Sequence, residues 1–232
     1  MTEPKSKFEF ENVIIIPYRN RKEHLDQFIK DVLPLFEKYL NPFRVVVVEQ
    51  EEGKLFNRGM LLNIGFNEYK DKCNFFFTHD VDTLPNDTCV KKIYTITNYD
   101  AIRISIPHSL SLGNICKFTS KSIVEINGLP NYIWGWGIED RALYYRYIIM
   151  NKTISPDYNF HLLFNKLHHK SNIENYINEK KKISDYENEI FNCNDKDKQY
   201  KHIMSSGLNT LEYKIINKEI INESIEILKV SI

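Results

Sequence analysis

The sequence predicts an α/β domain built on a mainly parallel sheet, and three stretches carry that expectation. "NVIIIP" (12–17), "FRVVVVEQ" (43–50) and "CNFFFTHDVD" (73–82) are short apolar runs rich in β-branched and aromatic residues. A strand covered on both faces reads as such a run, because neither face has to meet water. Segments of helical periodicity separate them, so the order is strand, helix, strand, helix, strand. With 232 residues, 42% of them hydrophobic, the chain suffices for one domain with a substantial core.

After the first strand, "RKEHLDQFIKDVLPLFEKYL" (21–40) places Leu25, Phe28, Ile29, Val32, Leu33 and Phe36 at helical spacing. Pro34 inside it predicts a kink, since it removes a backbone donor and crowds the preceding turn. "NRGMLLNIGFNEYK" (57–70) predicts the second helix. Beyond the third strand the pattern loosens. "IEDRALYYRYIIMN" (138–151) reads as a helix opening on acids, and "IENYINEKKKISDYENEIFNCNDKDKQYKHIM" (173–204) as charged surface helix. "TLEYKIINKEI" (210–220) and "SIEILKVSI" (224–232) alternate like two closing strands. Residues 1–11 are taken as an N-terminal extension and 12–232 as the domain, with no internal repeat and no flexible linker.

Composition narrows the function. Thirty-one basic residues balance 31 acidic ones, which gives no electrostatic reason for a nucleic-acid or anionic-membrane partner. The runs "VIII" and "VVVV" are far too short to span a bilayer, and "MTEPKSKFEFEN" has no apolar leader pattern. The expectation is a cytoplasmic protein without a membrane span. Cys73, Cys89, Cys116 and Cys193 form no CxxC pair and are expected as reduced thiols.

In an open parallel sheet, ligands sit beyond the carboxyl ends of the strands, so the residues just after each strand matter most. "HDVDTLP" (79–85) follows the third strand. Asp80 and Asp82, two apart in an extended chain, can face one ligand and offer hard oxygens to Mg²⁺ or Mn²⁺. The competing reading is a turn with one capping and one solvated Asp. Arg19 and Arg21 follow the first strand, and Phe56 and Arg58 the second. Guanidinium groups there suit phosphate, and the Phe ring suits a flat base, although any one arginine is more often a cap or a surface ion pair. "KLHHK" (166–170) offers His168 or His169 as an imidazole ligand, at most one of them because strand neighbours face opposite ways.

The densest stretch is "YIWGWGIEDR" (132–141). Gly135 and Gly137 free the backbone around Trp136, an indole suited to stacking on a sugar ring. Glu139 and Asp140 open the next helix, whose dipole favours their anionic forms. A carboxylate there can take a proton from an attacking hydroxyl. The plain alternative is a buried tryptophan corner with an acidic helix cap.

Taken together, "PYRNRKEHL", "FNRGMLLNIGF", "HDVDTLP", "NGLPNYIWGWGIED" and "SSGLNTLEYKI" resemble the β-1,4-galactosyltransferases, in the same order, from about residue 12 to 216. The HDVD form most resembles the branch that galactosylates xylose. The resemblance implies a GT-A fold and an inverting, Mn²⁺-dependent transfer of a hexose from a UDP-sugar to a glycan hydroxyl. It implies that Arg19, Arg21, Phe56, Arg58 and Asp80 contact the uridine diphosphate, and that Asp82 with His168 or His169 holds the metal. Trp136 and Gly137 would form a loop over the donor, Glu139 would hold sugar hydroxyls, and Asp140 would be the general base. Arg141 stands where relatives carry a further acid on the acceptor side. Leu112 falls near a tyrosine that lines the donor sugar, which leaves galactose, N-acetylgalactosamine, glucose and N-acetylglucosamine open. A UDP-sugar hydrolase and an inactive sugar-binding relic are the alternatives.

Overall fold

The computed structural model describes residues 8–105, 110–135, 137–156, 163–168 and 177–232. Strand β1 (Phe10–Tyr18) is followed by α1 (Lys22–Asp31) and α2 (Leu33–Tyr39), then β2 (Phe43–Gln50), α3 (Arg58–Tyr69) and β3 (Cys73–His79). The proline-bearing segment is therefore two helices. They break at Val32, and Pro34 sits in the first turn of α2, where its missing N–H has no partner to lose. A short strand β4 (Thr83–Pro85), a single turn α4 (Asp87–Cys89) and a π-helical turn (Val90–Tyr94) lead to β5 (Ala101–Ser105) and β6 (Ile115–Thr119). The chain continues through α5 (Ser120–Glu125), α6 (Glu139–Ile149), β7 (Phe164–Lys166), α7 (Ile177–Asn192) and α8 (Lys196–Ser205). It ends in β8 (Lys214–Asn222) and β9 (Ile225–Ser231).

The main sheet has seven strands in the order β5-β6-β3-β1-β2-β9-β8. Its centre is parallel: β1 pairs β2 and β3, and β2 pairs β9. Both flanks are antiparallel, through β3–β6, β5–β6 and β8–β9. The two closing strands thus form a hairpin that joins the sheet through β9. The β5–β6 pair was not anticipated, because "AIRIS" and "ICKFT" are too short to separate from helix by periodicity.

Why the central strands are apolar throughout is visible in how their side chains divide. Val13, Ile15, Val46, Val48, Phe76 and Phe118 belong to one core with α3 and α6, whereas Ile14, Ile16, Val45, Val47 and Phe77 pack on the other face with α1 and α2. Each of these residues is buried whichever way it points. Helix α3 lies close on β1: a Cβ added at Gly65 would come within 2.6 Å of Ile15 Cγ2. All four cysteines are free, as expected, and Cys73, Cys89 and Cys116 are buried. Among the described residues no helix is long and apolar enough to cross a membrane.

Gly65→Ala should therefore force α3 off the sheet. Overpacking of this kind costs about 1–3 kcal/mol, to be read as a lowered midpoint in denaturant unfolding; an unchanged midpoint would contradict the close approach.

Candidate active site

The sequence-selected residues gather at one edge of the sheet because the parallel strands end there together. β1 ends at Tyr18, β2 at Gln50 and β3 at His79, so Arg19, Arg21, Phe56, Arg58, Asp80 and Asp82 all lie just beyond carboxyl ends. The antiparallel β6 runs the other way and brings its beginning, with Leu112 and Gly113 ahead of it, to the same edge.

Arg58 is the centre of the site. Its Nε and Nη2 donate to Asp80 Oδ1 at 3.1 and 2.8 Å, and its Nη1 donates to Asp140 Oδ1 at 2.6 Å. The same Nη1 lies 3.8 Å from Glu139 Oε1. Burial works against the charge of Arg58, but Asp140, Asp80 and Glu139 together outweigh it and hold its pKa above the ordinary value. Glu139 responds oppositely. Burial, then the adjacent Asp140 charge, push its pKa up to about 7 against the pull of Arg58. Among the described residues its buried Oε2 has no hydrogen-bond partner, which leaves an acceptor to be satisfied.

Several polar residues hold this arrangement in place. Asn57 caps α3 by accepting from Met60 N at 2.9 Å, and its own N–H donates to Gln50 Oε1 at 2.8 Å. The Asn57 and Asn63 amides donate to Asn131 O and Oδ1 at 2.8 and 2.9 Å, and Gly135 N donates to Phe56 O at 2.7 Å. The start of α3 is thereby tied to the loop that leads into Glu139 and Asp140. Gly113 completes the fit, because a Cβ there would overlap the Asp140 carboxylate. None of Asn57, Asn63, Asn131 or Gly113 was singled out from sequence. Asn57 carried a readable signal, an Asn just before a helical run, and Asn63 another, a polar residue inside "MLLNIGF". Gly113 carried none.

Other candidates sort by contact. Arg21 Nη1 donates to Asp82 Oδ2 at 3.1 Å, and Arg19 packs its guanidinium 5.3 Å from the centre of the Phe56 ring. Arg141 turns along its own helix, donating to Tyr145 Oη at 2.6 Å. Leu112 has its side chain in the core, and its N–H donates to Asp140 O at 3.1 Å. Apolar bulk beside β6 is drawn inward, and the neighbouring glycine meets the carboxylate instead. His79 is also internal: its ring contacts Asp80 O and Tyr94 Oη, each at 3.0 Å, and burial lowers its pKa to about 4. Gly137 is half-buried in the turn before α6. Trp136 and His169 lie outside the described residues.

Asp82 is buried, and the antiparallel β4–β7 pair brings the histidine-bearing segment alongside it, with Leu167 N donating to Asp82 O at 2.8 Å. His168, next in the chain, is exposed. Among the described residues no three His, Cys, Asp or Glu side chains come together as a metal cage. A hard divalent cation fits such a place when phosphate oxygens and water complete its shell.

The chain is similar to known proteins in sequence and in fold. Residues 3–96 match the model of the N-terminal region of glycosyl transferase group 7, and residues 96–177 that of the N-terminal domain of galactosyltransferase. Bos taurus β-1,4-galactosyltransferase 1 is 33% identical over 150 residues, covering 61% of this chain and 37% of the relative. Rattus norvegicus β-1,4-galactosyltransferase 6 is 37% identical over 143 residues, covering 57% of this chain and 37% of the relative. The chain therefore spans well under half the length of these relatives. A Drosophila β-1,4-galactosyltransferase 7 mutant, solved with manganese, UDP-Gal and xylobiose, superposes with a TM-score of 0.77 at 22% identity, over 96% of this chain and 94% of that one. That likeness shows a shared GT-A fold. With two adjoining family models spanning residues 3–177 and relatives of one kind, the chain belongs to the β-1,4-galactosyltransferase family.

Proposed function

We propose that the protein transfers galactose from UDP-galactose to a hydroxyl of a glycan acceptor, with inversion at the sugar and with Mn²⁺ as cofactor. The observation that carries this reading is the grip of Arg58 on Asp80 and Asp140 together, at the ligand edge of the sheet. It joins a nucleotide-side carboxylate to a carboxylate at a helix start, as a donor and an acceptor meeting at one point require. The family relationship and the Drosophila neighbour's bound UDP-Gal and manganese support the same reading.

In this mechanism Arg19, Arg21 and Arg58 face the diphosphate, for which planar, permanently charged guanidinium groups are suited. Asp140 receives the proton of the acceptor hydroxyl at its carboxylate while that oxygen bonds to the anomeric carbon. The bond from that carbon to the diphosphate oxygen breaks on the opposite face. Glu139 offers Oε2 to a hydroxyl of a bound sugar, which would satisfy the buried oxygen. Mn²⁺, held by Asp82 with His168 or His169, would stabilise charge on the departing diphosphate.

The direct test is calorimetric titration of UDP and UDP-sugars with Mn²⁺ and with EDTA. Manganese-dependent binding with UDP-galactose preferred supports the reading, and absence of nucleotide binding overturns it. Asp82→Ala should abolish the manganese dependence of UDP binding; retained dependence would remove Asp82 as a ligand. Asp140→Asn should lower turnover about 10²–10⁴-fold, the range for a lost general base, with UDP affinity little changed. Full turnover in that variant would exclude Asp140 as the base.

Glu139 also makes stability depend on pH. Its folded pKa, about 7, lies above the 4.5 of an ordinary glutamate, so between those values the unfolded chain gives up its proton first. Stability from this group is present below pH 4.5 and is lost as pH rises through 7. Glu139→Gln should flatten the decline in unfolding free energy between pH 5 and 8. An unaltered slope would show that the carboxylate titrates normally.

A further inference from the structure

We infer that Lys180, on the first turn of α7, is a positioning residue that holds the turn before α6 and sets the electrostatic surroundings of Glu139. The inference rests on the transferase reading for its functional meaning. It rests on the backbone for its structural one.

The turn is an unusual piece of chain. Gly135, Gly137 and Ile138 have φ of 78°, 89° and 81°. Glycine accepts such values readily, but a β-branched residue rarely does. A residue held in this region persists only where its surroundings over-determine it. The holds are identifiable. Gly135 N donates to Phe56 O at 2.7 Å, and Ile138 O accepts from Arg141 N and Ala142 N at 3.0 and 2.9 Å. Between them, Lys180 Nζ donates to Gly137 O at 2.9 Å. The first hold comes from the segment before α3 and the second from α6 itself. Lys180 reaches the turn from a different helix, 43 residues away in sequence.

From its place at Gly137 O, two residues before Glu139 in the chain, the same ammonium interacts with the Glu139 charge. The charged groups around that carboxylate are Asp140 on its own helix, Arg58 from α3 and Lys180 from α7. Arg58 is already shared with Asp80 and Asp140. Lys180 is thus the cation least committed elsewhere, and its interaction with Glu139 is mutual. Burial lowers the Lys180 pKa, and the Glu139 charge opposes that effect. In the run Lys180, Lys181, Lys182, only Lys180 is partly buried, while the other two are exposed. A purely solvated lysine would neither bond a backbone carbonyl at this turn nor alter a buried acid.

The test is ¹³C-carboxyl NMR titration of Glu139 in the ligand-free protein, its signal assigned by its absence in Glu139→Gln. Lys180→Met should raise the Glu139 midpoint by about 1 unit, as expected when a nearby opposite charge is removed. Lys180→Arg, which restores the cation, should bring it back. Amide exchange at Gly135, Arg141 and Ala142, whose N–H groups are bonded at this turn, should quicken several-fold in the Met variant and not in the Arg variant. In transfer assays the acid limb of the kcat profile should move to higher pH with Lys180→Met. An unmoved midpoint, or equal shifts in the Met and Arg variants, would overturn the inference. Because the titration needs no turnover, a protein that transfers no sugar would defeat the functional reading while leaving the Lys180 result readable.

Discussion

One buried guanidinium organises this protein. Arg58 bonds Asp80 and Asp140 and approaches Glu139, so three carboxylates crowd around a single cation. Acids this close, out of water, cannot all remain ionised without a positive charge among them. Arg58 supplies it for two of them through direct hydrogen bonds, and Glu139, the more distant, is left with a pKa near neutrality. The cluster is therefore an imbalance as much as a clamp: excess negative charge faces the place where sugar hydroxyls and a metal-bound diphosphate are proposed to bind.

The guanidinium can do this only because the backbone beneath it is fixed. Asn57, Gln50, Asn63 and Asn131 join the head of α3 to the end of β2 and to the loop before α6. Buried amides are useful for this because each must be paired, so a shift in one loop leaves donors and acceptors unmet in the others. The positive φ at Ile138 fits the same account. The chain must turn sharply to deliver Glu139 and Asp140 at the first turn of α6, and neighbouring contacts hold that conformation.

The sequence by itself determined the frame. Runs such as "VIIIP" and "VVVV" mark strands covered on both faces, since only there is alternation unnecessary. Loops following such strands are delivered to one edge by parallel pairing, so Arg19, Arg21, Arg58, Asp80 and Asp82 could be placed together without coordinates. The break near Pro34 was legible too, though as one kinked helix rather than two, because boundaries depend on how each end packs. The "WGWGIED" block marked Glu139 and Asp140 as candidates.

Only the tertiary structure decided the partners. Arg58 and Asp140 are 82 residues apart, and no local pattern records that they meet. Leu112 went to the core while Gly113 met the carboxylate, a choice set by which side of one short turn faces the sheet. Lys180 lies in a stretch whose charge reads as surface helix, yet packing brings it to the turn at Gly137. The physical reason is common to all three. Periodicity reports whether a residue's own face is wet or dry over a few positions, whereas contact between distant segments is fixed by packing and by the pairing of buried polar groups.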